Sequence, residues 1–157
     1  MAIITFVDAG ISKLGFVLAY TSKELPINPY APIQIDTVIL SKSIKIKTET
    51  SNYNEILAIK TAARLFIQMN PIFEKFYIVS DSQIAVGMTI YWLQQYYTCQ
   101  QLGNRDGGAM TPRSVKLRRL SYSILDVLGT NRSAVPIISW IPRELNLAGH
   151  LLEKKKK

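Results

Sequence analysis

The sequence predicts a single α/β domain built on a mixed sheet, and three observations predict it. Three strand-like runs follow one another before the first helix signal, which argues for antiparallel hairpins. Strand and helix signals then alternate to the end, giving the order β-β-β-α-β-α-α-β-α and adding helix-connected, parallel strands. Of the 157 residues, 48% are hydrophobic, enough for one substantial core, while no apolar run approaches the roughly 20 residues a bilayer span needs. Residues 1–153 are assigned to this domain and 154–157 to a lysine tail.

Met1 to Val7 reads as a buried strand ended by an Asp8-Ala9-Gly10 turn, and Gly15 to Tyr20 as its hairpin partner. Leu25 to Pro32, with Pro26, Asn28, Pro29 and Pro32, is a loop. Ile33 to Lys47 carries a strand signal, strictest in the alternation of Ile44-Lys45-Ile46-Lys47. A helix from about Asn52 to Met69 sets Ile56, Ile59, Ala63, Phe66 and Ile67 on one face and stops at Asn70-Pro71. Phe76 to Ser80 is the fourth strand, ending at Asp81, and a helix from Ser82 to about Tyr97 follows. Gln100 to Pro112 holds three glycines and reads as a loop. Ser114 to Leu128 repeats Leu117, Leu120, Ile124 and Leu128 at helical spacing, with Gly129 as its cap. Val135 to Ile141 is the last strand and Glu144 to Glu153 a closing helix.

Net charge is +8, but Lys154 to Lys157 supply four of those charges, and that run reads as a solvated tail. The remaining basic balance is compatible with a polyanionic partner without requiring one. The lone Cys99 excludes an internal disulfide and fits a reducing compartment. The first residues lack a basic segment ahead of an apolar core, so no signal peptide is expected. The expectation is therefore a cytoplasmic or other intracellular monomer with no membrane partner.

In mixed α/β sheets, sites gather at the carboxyl ends of central parallel strands. Asp8 ends the first strand, Asp81 ends the fourth, and Glu55 stands in the first turn of the first helix, on or beside its polar side. Three carboxylates in one cleft repel unless cations cancel the charge, and divalent ions with oxygen ligands are the usual remedy. Each residue also has a structural reading. Asp8 can be a turn former, Asp81 a helix cap, and Asn52 with Glu55 a capping box.

Five segments resemble type 1 ribonuclease H. Phe6-Val7-Asp8-Ala9-Gly10 resembles the family's F-x-D-G first strand, and Thr50-Ser51-Asn52-Tyr53-Asn54-Glu55-Ile56 its T-N-N-x-x-E-L helix start. Val79-Ser80-Asp81-Ser82-Gln83 resembles its T-D-S strand end. Trp92 falls where many members carry a tryptophan. Trp140-Ile141-Pro142-Arg143-Glu144-Leu145-Asn146 resembles the form W-V-P-R-E-x-N. The resemblance implies a five-stranded mixed sheet in the order 3-2-1-4-5, flanked by helices. It implies an endonuclease that hydrolyses the RNA strand of RNA/DNA hybrids with two Mg²⁺ or Mn²⁺ ions by in-line displacement, leaving 5′-phosphate and 3′-hydroxyl ends. Asp8, Glu55 and Asp81 would ligate the metal. Asn52 would meet a ribose 2′-hydroxyl and Thr50 a DNA-strand phosphate. Gln83, Trp92, Arg113, Lys116 and Arg143 complete the implied nucleic-acid contacts, with Arg105 a further phosphate candidate.

The chain departs from the family pattern in three places. The fourth carboxylate of N-x-x-A-D is replaced, so that Asn146-Leu147-Ala148-Gly149-His150 puts His150 there. Read as a catalytic metal ligand, His150 supplies nitrogen in place of oxygen and suits Mn²⁺ better than Mg²⁺. The histidine-bearing glycine-rich loop of many members is absent, and the loop after Asp8 is short. These departures keep open a catalytically weak or inactive nucleic-acid-binding module, and a nuclease of the same fold acting on DNA junctions or single strands.

Overall fold

The computed structural model describes residues 2–26, 28–69, 75–96, 114–128 and 136–154. Strands β1 (Ala2–Ala9), β2 (Lys13–Thr21), β3 (Thr37–Lys45), β4 (Lys75–Ser80) and β5 (Ile137–Trp140) form one sheet in the order β3-β2-β1-β4-β5. β1 pairs antiparallel with β2, and β2 with β3, while β4 and β5 join in parallel. The expected sheet order is therefore the observed one. Helices α1 (Ser51–Met69), α2 (Gln83–Tyr96) and α3 (Val115–Leu128) cover one face, and α4 (Leu147–Lys154) lies on the other.

β1 is central, and its run of buried residues reflects cover on both faces. Ile3 and Val7 pack with Ile56, Ile59, Ala63 and Phe66 of α1, whereas Ile4 and Phe6 pack with Val17, Tyr77 and Ala148. On β2, a Cβ at Gly15 would stand 3.0 Å from Leu152 Cγ and 3.1 Å from the Ala148 carbonyl oxygen. Glycine there lets α4 rest directly on the strand backbone. Among the described residues no helix is long and apolar enough to cross a membrane.

Several boundaries differ from expectation. β1 runs through Asp8, which pairs with Gly15, and the turn begins only at Gly10, whose N–H donates to the Lys13 carbonyl at 2.9 Å. β3 starts at Thr37, because Ile33 and Ile35 instead pack their loop against the core under the sheet. β3 is an edge strand with Val38, Ile39 and Leu40 exposed. The closing helix is split into a single 3-10 turn at Arg143–Leu145 and α4, with Asn146 between them. The stop at Asn70-Pro71, the loop from Gln100 to Pro112 and the Gly129 cap lie outside the described residues, as do residues 155–157 of the tail.

Backbone pairing carries the chain from β3 to the site. The Ile46 N–H donates to the Ser12 carbonyl and the Glu49 N–H to the Ile11 carbonyl, both at 2.9 Å. These bonds bind the segment before α1 to the β1–β2 turn. The first turns of α1 are thereby delivered to the carboxyl end of β1.

Candidate active site

The parallel ladder of β1 and β4 sets Val7 opposite Ser80, so Asp8 and Asp81 follow as neighbours at the carboxyl ends of adjacent strands. Glu55 arrives from α1. Its Oε1 accepts the Ala9 N–H at 3.3 Å, and the preceding Asn54 donates Nδ2 to the Gly10 carbonyl at 2.9 Å. One carboxylate oxygen from each of Asp8, Glu55 and Asp81 lies within 4.8 Å of the others, a group that could hold a metal ion. Asp8 is 8% and Glu55 7% exposed, and Asp81 is half-buried.

The cluster is electrostatically unfavourable on its own. Burial, then the charge of Asp8 and a hydrogen bond with it, then the charge of Asp81, push Glu55 from its ordinary 4.5 up to about 9. Burial and the Asp8 charge push Asp81 from 3.8 up to about 6, opposed by a hydrogen bond from Asn146 and by the Arg143 charge. Glu55 Oε2 is buried with no hydrogen-bond partner. An orphaned oxygen beside two further carboxylates is a donor set suited to a divalent ion with oxygen ligands.

Asn146 fixes the floor of the site. Wholly buried, it donates Nδ2 to the Val7 carbonyl at 2.9 Å and accepts the Ala148 N–H on Oδ1 at 3.1 Å. It thus caps α4 and ties it to β1 while also bonding Asp81. A Cβ at Gly149 would come 3.2 Å from Asp8 Oδ2 and 3.9 Å from Asp81 Oδ2, so the glycine leaves the carboxylates clear. The Trp140 indole Nε1 donates to the Asp81 carbonyl oxygen at 3.0 Å and holds that strand end from the β5 side.

The structural readings of the three carboxylates do not hold. Asp8 lies within the β1–β2 ladder and is no turn residue. Thr50, not Asn52, caps α1, its Oγ1 accepting the Tyr53 N–H at 3.3 Å. Ser82, not Asp81, caps α2, its Oγ accepting the Ala85 N–H at 3.1 Å. Glu55 faces inward rather than along the polar side. Asn54 and Gly149 were not singled out in the sequence. The signal for Asn54 was a polar residue at a core-facing helical position next to a candidate ligand.

Thr50 is exposed and Asn52 half-buried at the start of α1. Lys116, from the first turn of α3, pairs with Glu49 and stands 4.9 Å from the centre of the Tyr53 ring. Gln83 is exposed at the first position of α2, two residues after Asp81, and Arg143 is exposed in the 3-10 turn. Trp92 packs edge-on between Tyr91 and Tyr122, in a crease it shares with Arg118 and Arg119. His150 is exposed on α4, one residue beyond Gly149 and outside the three-carboxylate group. Arg105 and Arg113 lie outside the described residues.

No protein-family model matches the sequence, and no curated protein does. Solved structures do match the fold. Ribonuclease H1 of the halophilic archaeon Halobacterium salinarum is 16% identical with a TM-score of 0.63, over 97% of this chain and 94% of its own. LC11 ribonuclease H1, isolated from compost by a metagenomic approach and solved in complex with an RNA/DNA hybrid, is 16% identical with a TM-score of 0.60, over 99% of each chain. The protease-reverse transcriptase of prototype foamy virus is 16% identical with a TM-score of 0.59, over 98% of this chain and 20% of its own. The chain has the ribonuclease H fold.

Proposed function

We propose that this chain is a ribonuclease H-type endonuclease that hydrolyses the RNA strand of RNA/DNA hybrids with divalent metal ions, leaving 5′-phosphate and 3′-hydroxyl ends. The observation that carries the reading is the convergence of Asp8, Glu55 and Asp81 within 4.8 Å at the carboxyl ends of the central strands. A structural neighbour solved with such a hybrid bound supports the choice of substrate.

Asp8 and Asp81 would hold the metal, with Glu55 joining as it gives up its proton. Mg²⁺ or Mn²⁺ ions held there would acidify a bound water and supply positive charge for the leaving oxygen. Asn146 and Arg143 hold Asp81 toward its ionised form, ready to bind. Burial and the neighbouring Asp8 and Asp81 keep the proton on Glu55, so that side chain ionises when a cation arrives. Metal binding therefore releases a proton from the site. His150 takes the role of the fourth ligand, and its place one residue after Gly149 on α4 supports this. A nitrogen donor there favours Mn²⁺ over Mg²⁺.

Asn52 recognises the 2′-hydroxyl that separates RNA from DNA. Thr50 and Lys116, gathered at the start of α1, take a phosphate of the DNA strand. Gln83, Trp92, Arg113 and Arg143 extend the contact surface. Residues 1–153 act as one domain and as a monomer. Asp81→Asn tests the assignment. Hybrid cleavage should fall by more than the roughly 100-fold ceiling of an outer-shell change, while hybrid binding by anisotropy is kept. Full activity in the variant would remove Asp81 from the site. Binding without cleavage by the unaltered protein, in either metal, would favour the binding-module reading instead.

A further inference from the structure

We propose that Tyr30 is a stacking platform for an unpaired base of the bound nucleic acid, linked to the carboxylate cluster through Trp140. Tyr30 belongs to the loop between β2 and β3, which crosses beneath the sheet to the β5 edge. Buried Leu25 and the packed Ile33 anchor that loop to the core beneath the sheet. Pro26, Pro29 and Pro32 restrict its backbone. Asn28 closes a turn around it, its Oδ1 accepting the Tyr30 N–H at 3.0 Å and its carbonyl the Ala31 N–H at 3.1 Å.

The ring is held, yet its surface is open. Tyr30 is 64% exposed, and its ring meets Trp140 edge-on, 5.7 Å between centres at 74°. Trp140 in turn donates its indole N–H to the carbonyl of Asp81 at 3.0 Å. Two rings therefore join an exposed aromatic surface to the backbone of a site carboxylate. Exposed Arg143 follows Trp140 by three residues, and its charge is felt at Asp81. Val38, Ile39 and Leu40, the exposed apolar residues of β3, have no such link to the cluster.

An open aromatic ring with a guanidinium near a phosphodiester site is the composition that grips single-stranded nucleic acid. A paired duplex keeps its bases stacked on one another, so the base that fits Tyr30 is one outside the duplex. The preferred substrate is then a hybrid bearing a single-stranded extension. This inference rests on the nuclease reading above.

The test is anisotropy titration, in EDTA to prevent turnover, of a blunt hybrid and of hybrids extended by a few nucleotides at each end in turn. For one extended end the unaltered protein should bind about tenfold tighter than to the blunt hybrid, a gain of the size of one base–aromatic stack. Tyr30→Phe should keep that gain. Tyr30→Ala should lose it while binding the blunt hybrid as before. An equal gain in Tyr30→Ala, or no gain from any extension, would overturn the platform. Failure of every protein to bind the blunt hybrid would tell against the nuclease reading separately. The same variants are then titrated with single-stranded RNA, where weaker binding by Tyr30→Ala supports the platform and unchanged binding overturns it.

Discussion

Glu55→Gln should stabilise the metal-free protein, and by more as the pH rises. Glu55 keeps its proton in the folded chain up to about pH 9, whereas its ordinary value is 4.5. Below about pH 4.5 both states hold the proton and the residue costs folding nothing. Above it the unfolded chain gains by releasing a proton that the folded chain retains, so stability falls as pH rises toward 9. Each pH unit in that window costs about 1.4 kcal/mol, which makes the penalty on the order of 3 kcal/mol at pH 7. Gln stays neutral in both states and escapes it. For a chain of this size the gain in Tm should be roughly 5–10 °C at pH 7. The assay is a thermal melt of both proteins in EDTA from pH 5 to pH 9. The Tm difference should be small at pH 5 and widen steadily. A difference that stays flat across this range would refute the buried, proton-holding Glu55. Mn²⁺ should then raise the Tm of the unaltered protein more than that of the variant, since only the former supplies the third carboxylate.

Asn146→Ala removes the partner of the Val7 carbonyl, the cap of α4 and a bond to Asp81 at once. It should cost about 2–4 kcal/mol in urea unfolding, and a loss near zero would remove Asn146 from its tying role. His150→Asp restores an oxygen donor on α4 and should shift relative cleavage from Mn²⁺ toward Mg²⁺. An unchanged metal preference would count against ligation by His150.

The sheet and most helices were legible because the apolar pattern is strong where both faces are covered, as in β1, or where one helical face is, as in α1. The aspartates at strand ends were legible too, since strand signals stop beside them. Local pattern misplaced what depends on partners far along the chain. Glu55 was legible as the third carboxylate of the cluster, but its inward direction was not, because α1 turns that position toward Asp8 and Asp81 and away from the helix's polar side. The caps are Thr50, two residues before Asn52, and Ser82, one after Asp81, shifts that spacing alone does not resolve. Ile33 and Ile35 alternate like a strand, but they anchor a loop beneath the sheet. Asn146 breaks a helix that periodicity alone would run through, because its side chain is committed to Val7, 139 residues earlier. Tyr30 stood in a stretch whose prolines announced only a loop, and its ring acquires meaning from Trp140.

The most direct test of the central claim is cleavage of a hybrid with both strands labelled, run beside matched duplex DNA and duplex RNA, in Mg²⁺, in Mn²⁺ and in EDTA. Metal-dependent cuts confined to the RNA of the hybrid are the predicted result. Cleavage of the DNA duplex, cleavage in EDTA, or no cleavage in either metal would contradict it.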